Sequence, residues 1–167
     1  MSSEGVQSRM AAVSNDEFRR ACGRFATGVA VASVVDRQGT PHGLTVSSFT
    51  SVSLEPPLVL ICLGQAVTNI EEFREARHFG ISILGEDARS ISDRFARKGC
   101  DRFDGVEWYS GETGVPLMAG ALATIECAAH QRFPSGDHDI FVGEVLRTSI
   151  RDGNPLIFYA SEYRGLE

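Results

Sequence analysis

With 167 residues, 43% hydrophobic and 23% charged, the chain has the size and balance of one globular domain that can bury a core without metal or disulfide staples. A net charge of -6 and a pI near 5.2 exclude a binder driven by nucleic-acid phosphates, which needs a clustered basic face. No apolar run reaches the roughly 20 residues of a membrane span and no export signal opens the chain, so a cytoplasmic protein is expected, with no membrane and no nucleic acid as partner.

Residues 1–13 are small and polar and read as a flexible leader, and 14–167 as a single domain. Ser14 and Glu17 form a capping box, and Phe18, Ala21, Cys22, Phe25 and Ala26 recur at helical spacing. This predicts a helix facing inward along that stripe and closed by Gly28. Val29 to Val35 is β-branched and short, Asp36-Arg37-Gln38-Gly39 turns, and His42 to Ser47 returns as the second strand of a hairpin. After the turn at Glu55-Pro56-Pro57, Leu58 to Leu63 is an apolar run of strand length.

Thr68 with Glu71 repeats the capping pattern for a helix ending near His78, with Ile70, Phe73 and Ala76 inward. Phe79 to Leu84 alternates as a strand, and Asp87 is placed to cap a helix from Ala88 to Arg97 on which Ala88, Ile91 and Phe95 share a face. Gly105 to Tyr109 reads as an edge strand or extended loop. Leu117 to Arg132 reads as strand, although its alanines also permit helix. Ser135-Gly136-Asp137-His138 is a tight turn, Ile140 to Ile150 a long strand, and Asp152-Gly153-Asn154-Pro155 a turn into Leu156 to Ala160. The expected class is mainly β with short helices, its hairpins forming a closed or nearly closed antiparallel barrel.

The four cysteines are scattered without a close pair, so neither a zinc knuckle nor a redox dithiol is indicated, and Cys22 and Cys62 sit in apolar surroundings. The histidines offer no close ligand pair, and no metal is expected. No G-x-S-x-G elbow, paired carboxylates, G-x-G-x-x-G loop or P-loop is present, so no catalytic residue is assigned.

What stands out is Gly43 to Leu63, where Thr45, Ser47, Ser48, Thr50, Ser51 and Ser53 crowd small hydroxyls into strand-like sequence. Such a stretch is either a solvent-facing edge or the lining of a site where backbone N–H groups and hydroxyls reach a ligand. Together with Phe25-Ala26-Thr27-Gly28-Val29 before it and Gly136-Asp137-His138 after it, this stretch resembles the short-chain flavin reductases, the reductase components of two-component flavin monooxygenases. The likeness runs from Phe18 to Tyr163.

The resemblance implies a split β-barrel flavin-binding fold, a homodimer with flavin near the subunit interface, and hydride transfer from NADH or NADPH to FMN or FAD. Reduced flavin would then pass to a partner monooxygenase. Thr45, Val46, Ser47, Ser48 and Phe49 would lie along the flavin ring, and Ser51, Val52 and Ser53 near the ribityl phosphate. Ala66, Val67, Thr68 and Asn69 match a second flavin loop. Arg97 and Lys98 either supply charge to the phosphate or form an exposed helix end. His138 would position NAD(P)H, and Thr27 and Gly28 would stand at the mouth of that site. Phe25 would stand there too, although its helical spacing favours the core. Tyr163 would cover the ligand or pack at the dimer contact.

Two other functions remain in view: an FMN-binding electron carrier that does not oxidise a nicotinamide, and a split-barrel oxidase of a phosphorylated pyridoxal, for which a second basic cluster is missing. FMN versus FAD and NADH versus NADPH stay open.

Overall fold

A computed structural model describes residues 12–166 of the chain; residues 1–11, most of the expected leader, lie outside them. Helix α1 spans Asn15–Cys22. The Ser14 hydroxyl accepts from the Glu17 N–H at 3.2 Å and the Glu17 carboxylate accepts from the Ser14 N–H at 3.0 Å, the capping box read from sequence. The inward face of this helix is not realised. It ends at Gly23, not Gly28, no residue of it is buried, and Cys22 is exposed. Phe18 is 62% and Phe25 77% exposed, so Phe25 is no core residue. The cause lies at the other end of the chain: the Gly23 carbonyl accepts from the Ala160 N–H at 2.9 Å, and Thr27–Gly28 leaves as a strand paired with Ile157 and Phe158.

The elements that follow are β1 (Thr27–Gly28), β2 (Ala30–Val35), β3 (Pro41–Val46), β4 (Thr50–Leu54), β5 (Pro57–Gly64), α2 (Ile70–Glu75), β6 (His78–Ile83), α3 (Arg89–Ala96), β7 (Trp108–Ser110), β8 (Pro116–Met118), β9 (Ala123–Ser135), β10 (His138–Ile150), β11 (Ile157–Tyr159) and β12 (Glu162–Arg164). Seven strands form one antiparallel sheet in the order β3-β2-β6-β9-β10-β5-β4, with β1-β11-β12 and β7-β8 beside it. The expected hairpins at Asp36–Gly39 and at Gly136, where φ is +61°, are both present.

The sheet does not close into a barrel. Its two edges, β3 and β4, are consecutive in sequence yet sit at opposite ends of the hydrogen-bonding order. Side chains take part of the β3 edge instead: the Gly43 carbonyl accepts from Arg102 Nη1 at 2.7 Å and from Asn69 Nδ2 at 3.4 Å. The sheet is nonetheless curled, since Leu44 and Val46 of β3 share one core with Val59, Ile61 and Leu63 of β5, joined by Phe73, Phe79, Ile81 and Phe141.

A second core lies under α3 and contains Val29, Val31, Leu84, Phe95, Phe103 and Met118. Phe103 packs edge-on against Phe95 at 4.9 Å and Trp108 at 5.6 Å between ring centroids, which fixes the loop from Gly99 to Asp104. Gly43 allows this close approach: a Cβ on it would stand 3.0 Å from the Ala32 carbonyl oxygen and from the Phe95 ring, so a neighbour would have to give by a few tenths of an ångström.

Two caps differ from expectation. The residue before α2 is Asn69, not Thr68, and its amide is directed at Gly43 rather than at the helix. A 3₁₀ turn, Glu86–Ala88, precedes α3, so Asp87 makes no cap bond there. Ile70 and Phe73 are buried as their spacing requires. Strand β12 lies beyond the last strand expected from the sequence and follows a turn in which Ala160 and Ser161 adopt positive φ. Among the described residues no helix is long and apolar enough to cross a membrane.

Candidate functional site

β3 delivers Thr45 toward α3, where its hydroxyl donates to the Ser92 carbonyl at 2.6 Å. Val46 is buried in the first core. Beyond it Ser47, Ser48 and Phe49 cross to β4. Ser48 behaves as a strand neighbour, its Oγ accepting from the Cys62 N–H and donating to the Cys62 carbonyl, each at 2.9 Å. Phe49 packs on the first core while Ser47 is exposed. The backbone N–H groups of Ser47, Ser48 and Phe49 have no partner among the described residues. On β4, Ser51 and Val52 are exposed and Ser53 half-buried, with a bulge between Ser51 and Ser53 opposite β5.

The loop from Gln65 to Asn69 follows directly on β5, the strand to which this crossing is bonded through Ser48 and Cys62, and Val67 and Phe49 both pack on the first core. Ala66 is exposed, and the N–H groups of Ala66, Thr68 and Asn69 are without partners among the described residues. Thr68 and Asn69 border a cleft of about 520 Å³ whose far wall is Gly99 to Asp104, a volume typical of small-molecule sites. Asn69 is buried, and its Oδ1 has no partner among the described residues. Arg102 reaches the cleft with Nη1 on Gly43 and Nε on the Arg97 carbonyl at 2.9 Å, leaving Nη2 without a partner among the described residues. His42, also on the cleft, has Nε2 3.0 Å from Asp36, and this bond holds the Asp36 carboxyl below its ordinary range. Asp101 is engaged with its own turn, accepting from the Phe103 N–H at 3.0 Å.

Arg97 and Lys98 are exposed, and Arg97 borders a different depression beside Ile91 and Gly105. The cation that the structure brings to Thr68 and Asn69 is therefore Arg102. Nothing in a charged, glycine-rich loop distinguishes one arginine from another; the usable signal is its neighbour Phe103, which is buried against Phe95 and Trp108 and leaves Arg102 bonded to the Gly43 carbonyl on β3.

His138 begins β10 opposite Gly64. A Cβ on Gly64 would lie 3.7 Å from His138 Nε2 and 3.8 Å from Val67, so the imidazole, the end of β5 and the Gln65–Asn69 loop adjoin. Nδ1 of His138 stands 2.7 Å from Asp137, whose carboxyl is held below its usual range by that contact.

Thr27 and Gly28 lie on β1, opposite Phe158 and Ile157, and Phe158 faces Tyr163 on β12. The Tyr163 hydroxyl is 2.8 Å from Ser92 Oγ, and Ser92 is the residue whose carbonyl Thr45 engages. Tyr163 is thereby linked to the hydroxyl-rich segment through α3. The Thr27 hydroxyl is buried without a partner among the described residues, and Phe25 is exposed just before it.

The donor set fits a flavin. Free N–H groups on Ser47–Phe49 suit the acceptor edge of a flat heterocycle, and a guanidinium with free N–H groups on the cleft beside Thr68 suits a phosphate. Such a group offers acceptors, its ring carbonyls and phosphate, to these N–H groups and donors, its ribityl hydroxyls, to Asn69 Oδ1.

The family described as flavin reductase like domain matches residues 22–167. The FMN reductase (NADH) SmoA of Agrobacterium fabrum is 46% identical over 141 residues, 84% of this chain and 80% of that protein. The reductase component of the Rhodococcus opacus 4-nitrophenol 4-monooxygenase/4-nitrocatechol 2-monooxygenase is 40% identical over 147 residues, 88% of this chain and 78% of that one. The solved structure of the Streptomyces globisporus NADH:FAD oxidoreductase SgcE6, in complex with NAD and FAD fragments, superposes with a TM-score of 0.87 at 39% identity, covering 91% of this chain and 92% of that chain.

Proposed function

Since the chain belongs to the flavin reductase like domain family, we propose that it is an NAD(P)H-dependent flavin reductase, moving hydride from NADH or NADPH to FMN or FAD and passing the reduced flavin to a partner monooxygenase. The observation that carries this reading is that three separated segments reach the end of β5: Ser48 bonds to Cys62, and Val67 of the Gln65–Asn69 loop and His138 both stand within 4 Å of where a Cβ on Gly64 would lie. A bound flavin supplies the hydride-accepting ring; the protein supplies binding and orientation.

In this reading the N–H groups of Ser47, Ser48 and Phe49 hold the ring edge on which negative charge grows. Val46 and Thr45 fix that loop from within, and Ser51, Val52 and Ser53 flank it from β4. Ala66, Val67, Thr68 and Asn69 carry the phosphate end, with Arg102 as its counter-charge. His138 orients the nicotinamide and takes no proton. Thr27, Gly28 and Phe25 form the outer rim on the α1 side.

The working assembly is a split-barrel homodimer in the cytoplasm. Phe133 on β9, Ile140 on β10 and Cys62 on β5 are direct cross-strand partners, forming an apolar row whose outermost member, Phe133, is 48% exposed. Because Ser48 bonds to Cys62 at the end of that row, a second subunit seated on it would bring the flavin site to the interface.

The test is steady-state NADH and NADPH oxidation with FMN, FAD and riboflavin each titrated. Oxidation that depends on added flavin supports the reading. No consumption above the flavin-free blank would sink it, and flavin retained stoichiometrically without nicotinamide oxidation would identify an electron carrier instead.

A further inference from the structure

Asp139 is fully buried, an unusual place for a carboxylate, and it accepts from groups on three different elements. Arg74 Nε on α2 donates to Oδ2 at 2.8 Å, Arg132 Nη1 on β9 donates to the same oxygen at 2.8 Å, and Gln65 Nε2 donates to Oδ1 at 2.9 Å. Gln65 opens the loop that carries Thr68 and Asn69, and its backbone N–H donates to the Asp137 carbonyl at 2.9 Å. Strand alternation turns Asp139 to the side opposite its neighbour His138. One carboxylate thus ties the start of the Gln65–Asn69 loop, helix α2 and the residue after His138 into a single unit.

We infer that Asp139 is a positioning residue: through Gln65 and Arg74 it sets the distance between the loop that holds the flavin phosphate and the histidine that orients the nicotinamide. This rests on the flavin reductase reading. Stability alone does not call for such a cluster, because a buried ion pair contributes little net stability over apolar side chains of the same volume. A cluster whose members reach the two halves of a bisubstrate site is accounted for by geometry.

The test uses the full chain and two variants. Gln65→Leu cuts the amide's bonds to Asp139 and, at 3.4 Å, to the His138 carbonyl and leaves both arginine pairs, while Asp139→Asn weakens the whole unit. Flavin dissociation constants are read by flavin fluorescence without nicotinamide, alongside KM, kcat and Tm. The expected result for Gln65→Leu is a flavin dissociation constant raised about tenfold, with kcat at saturating flavin within about twofold of wild type, the pattern of lost ground-state binding, and Tm lowered only by the few degrees that a buried carboxylate oxygen without its donor accounts for. Asp139→Asn should shift flavin affinity at least as far. Wild-type flavin affinity in Gln65→Leu, or a lower Tm as its sole change, overturns the positioning role while leaving the reductase reading intact. A wild-type protein that binds no flavin overturns both.

Discussion

Ser92 and Tyr163 share a hydroxyl–hydroxyl hydrogen bond of 2.8 Å, and Ser92 is fully buried. Since Thr45 donates to the carbonyl of the same serine, β12 braces α3 against the strand that leads into the proposed flavin loop. Tyr163→Phe leaves the Ser92 hydroxyl without this partner, a loss of about 1–3 kcal/mol. For a domain of this size each kilocalorie lowers Tm by about 2–4 °C. The expected outcome is that fall in a thermal melt with flavin affinity within about twofold. Weaker flavin binding at unchanged Tm would place the tyrosine on the ligand.

His138→Ala removes the imidazole beside Gly64 and Val67 without touching the core. The expected result is a KM for the nicotinamide raised about tenfold, with the flavin dissociation constant unchanged. Loss of kcat in proportion, with a new pH dependence, would mean that the histidine handles a proton after all.

Arg102→Met tests the cleft. A hydrogen bond to a charged group contributes about 1.5–3 kcal/mol, so FMN should bind about tenfold or more weakly in this variant. Riboflavin, which lacks the phosphate, should bind as in wild type, and Lys98→Met should change neither ligand more than about twofold. Equal losses for FMN and riboflavin would show that Arg102 acts by holding Gly43 and Arg97 rather than by meeting phosphate.

The contrast between Arg102 and the α1 stripe shows what a sequence discloses. Ser14 with Glu17, the Asp36–Gly39 turn, the apolar beat of Leu58 to Leu63 and Ser135–His138 are local devices, and local physics reads them correctly. The stripe of Phe18, Ala21 and Phe25 has helical spacing too, but spacing says only that one face is apolar, not that the same chain covers it. Barrel closure failed for a related reason: it depends on what meets the β3 edge, and that edge is met by Arg102 and Asn69 from distant loops. The hydroxyl-rich segment was visible as a candidate, but no propensity encodes that Thr45 and Ser48 bond to the protein itself while the neighbouring N–H groups stay free.

Acid should loosen the Asp139 cluster. Arg74 foremost, with Gln65 and Arg132, holds the Asp139 carboxyl well below the usual range, against the opposing effect of its burial. Because the folded value lies below the unfolded one, near 4, the contribution is fully present above about pH 4 and is lost as pH falls through the folded value. Asparagine cannot titrate, so the stability gap between wild type and Asp139→Asn should be constant between about pH 7 and pH 5 and narrow below about pH 4. Urea unfolding at each pH measures it, and a gap that widens in acid would contradict the assignment.

The row formed by Phe133, Ile140 and Cys62 tests the assembly. A half-exposed phenylalanine beside two half-buried apolar partners on a sheet face loses little by standing in water alone, yet gains by meeting a copy of itself, since a two-fold contact presents the same patch from both sides. Phe133→Glu places a like-charged pair on that contact while leaving the chain's own packing nearly untouched. Size-exclusion chromatography with light scattering should give a dimer for the wild type and a monomer for the variant. Far-UV circular dichroism should be the same for both. Because Ser48 bonds to Cys62 at the end of the row, the monomer should also bind flavin more weakly. A variant that stays dimeric with wild-type affinity would move the interface to the exposed stripe of α1, where Phe18→Glu is the corresponding substitution.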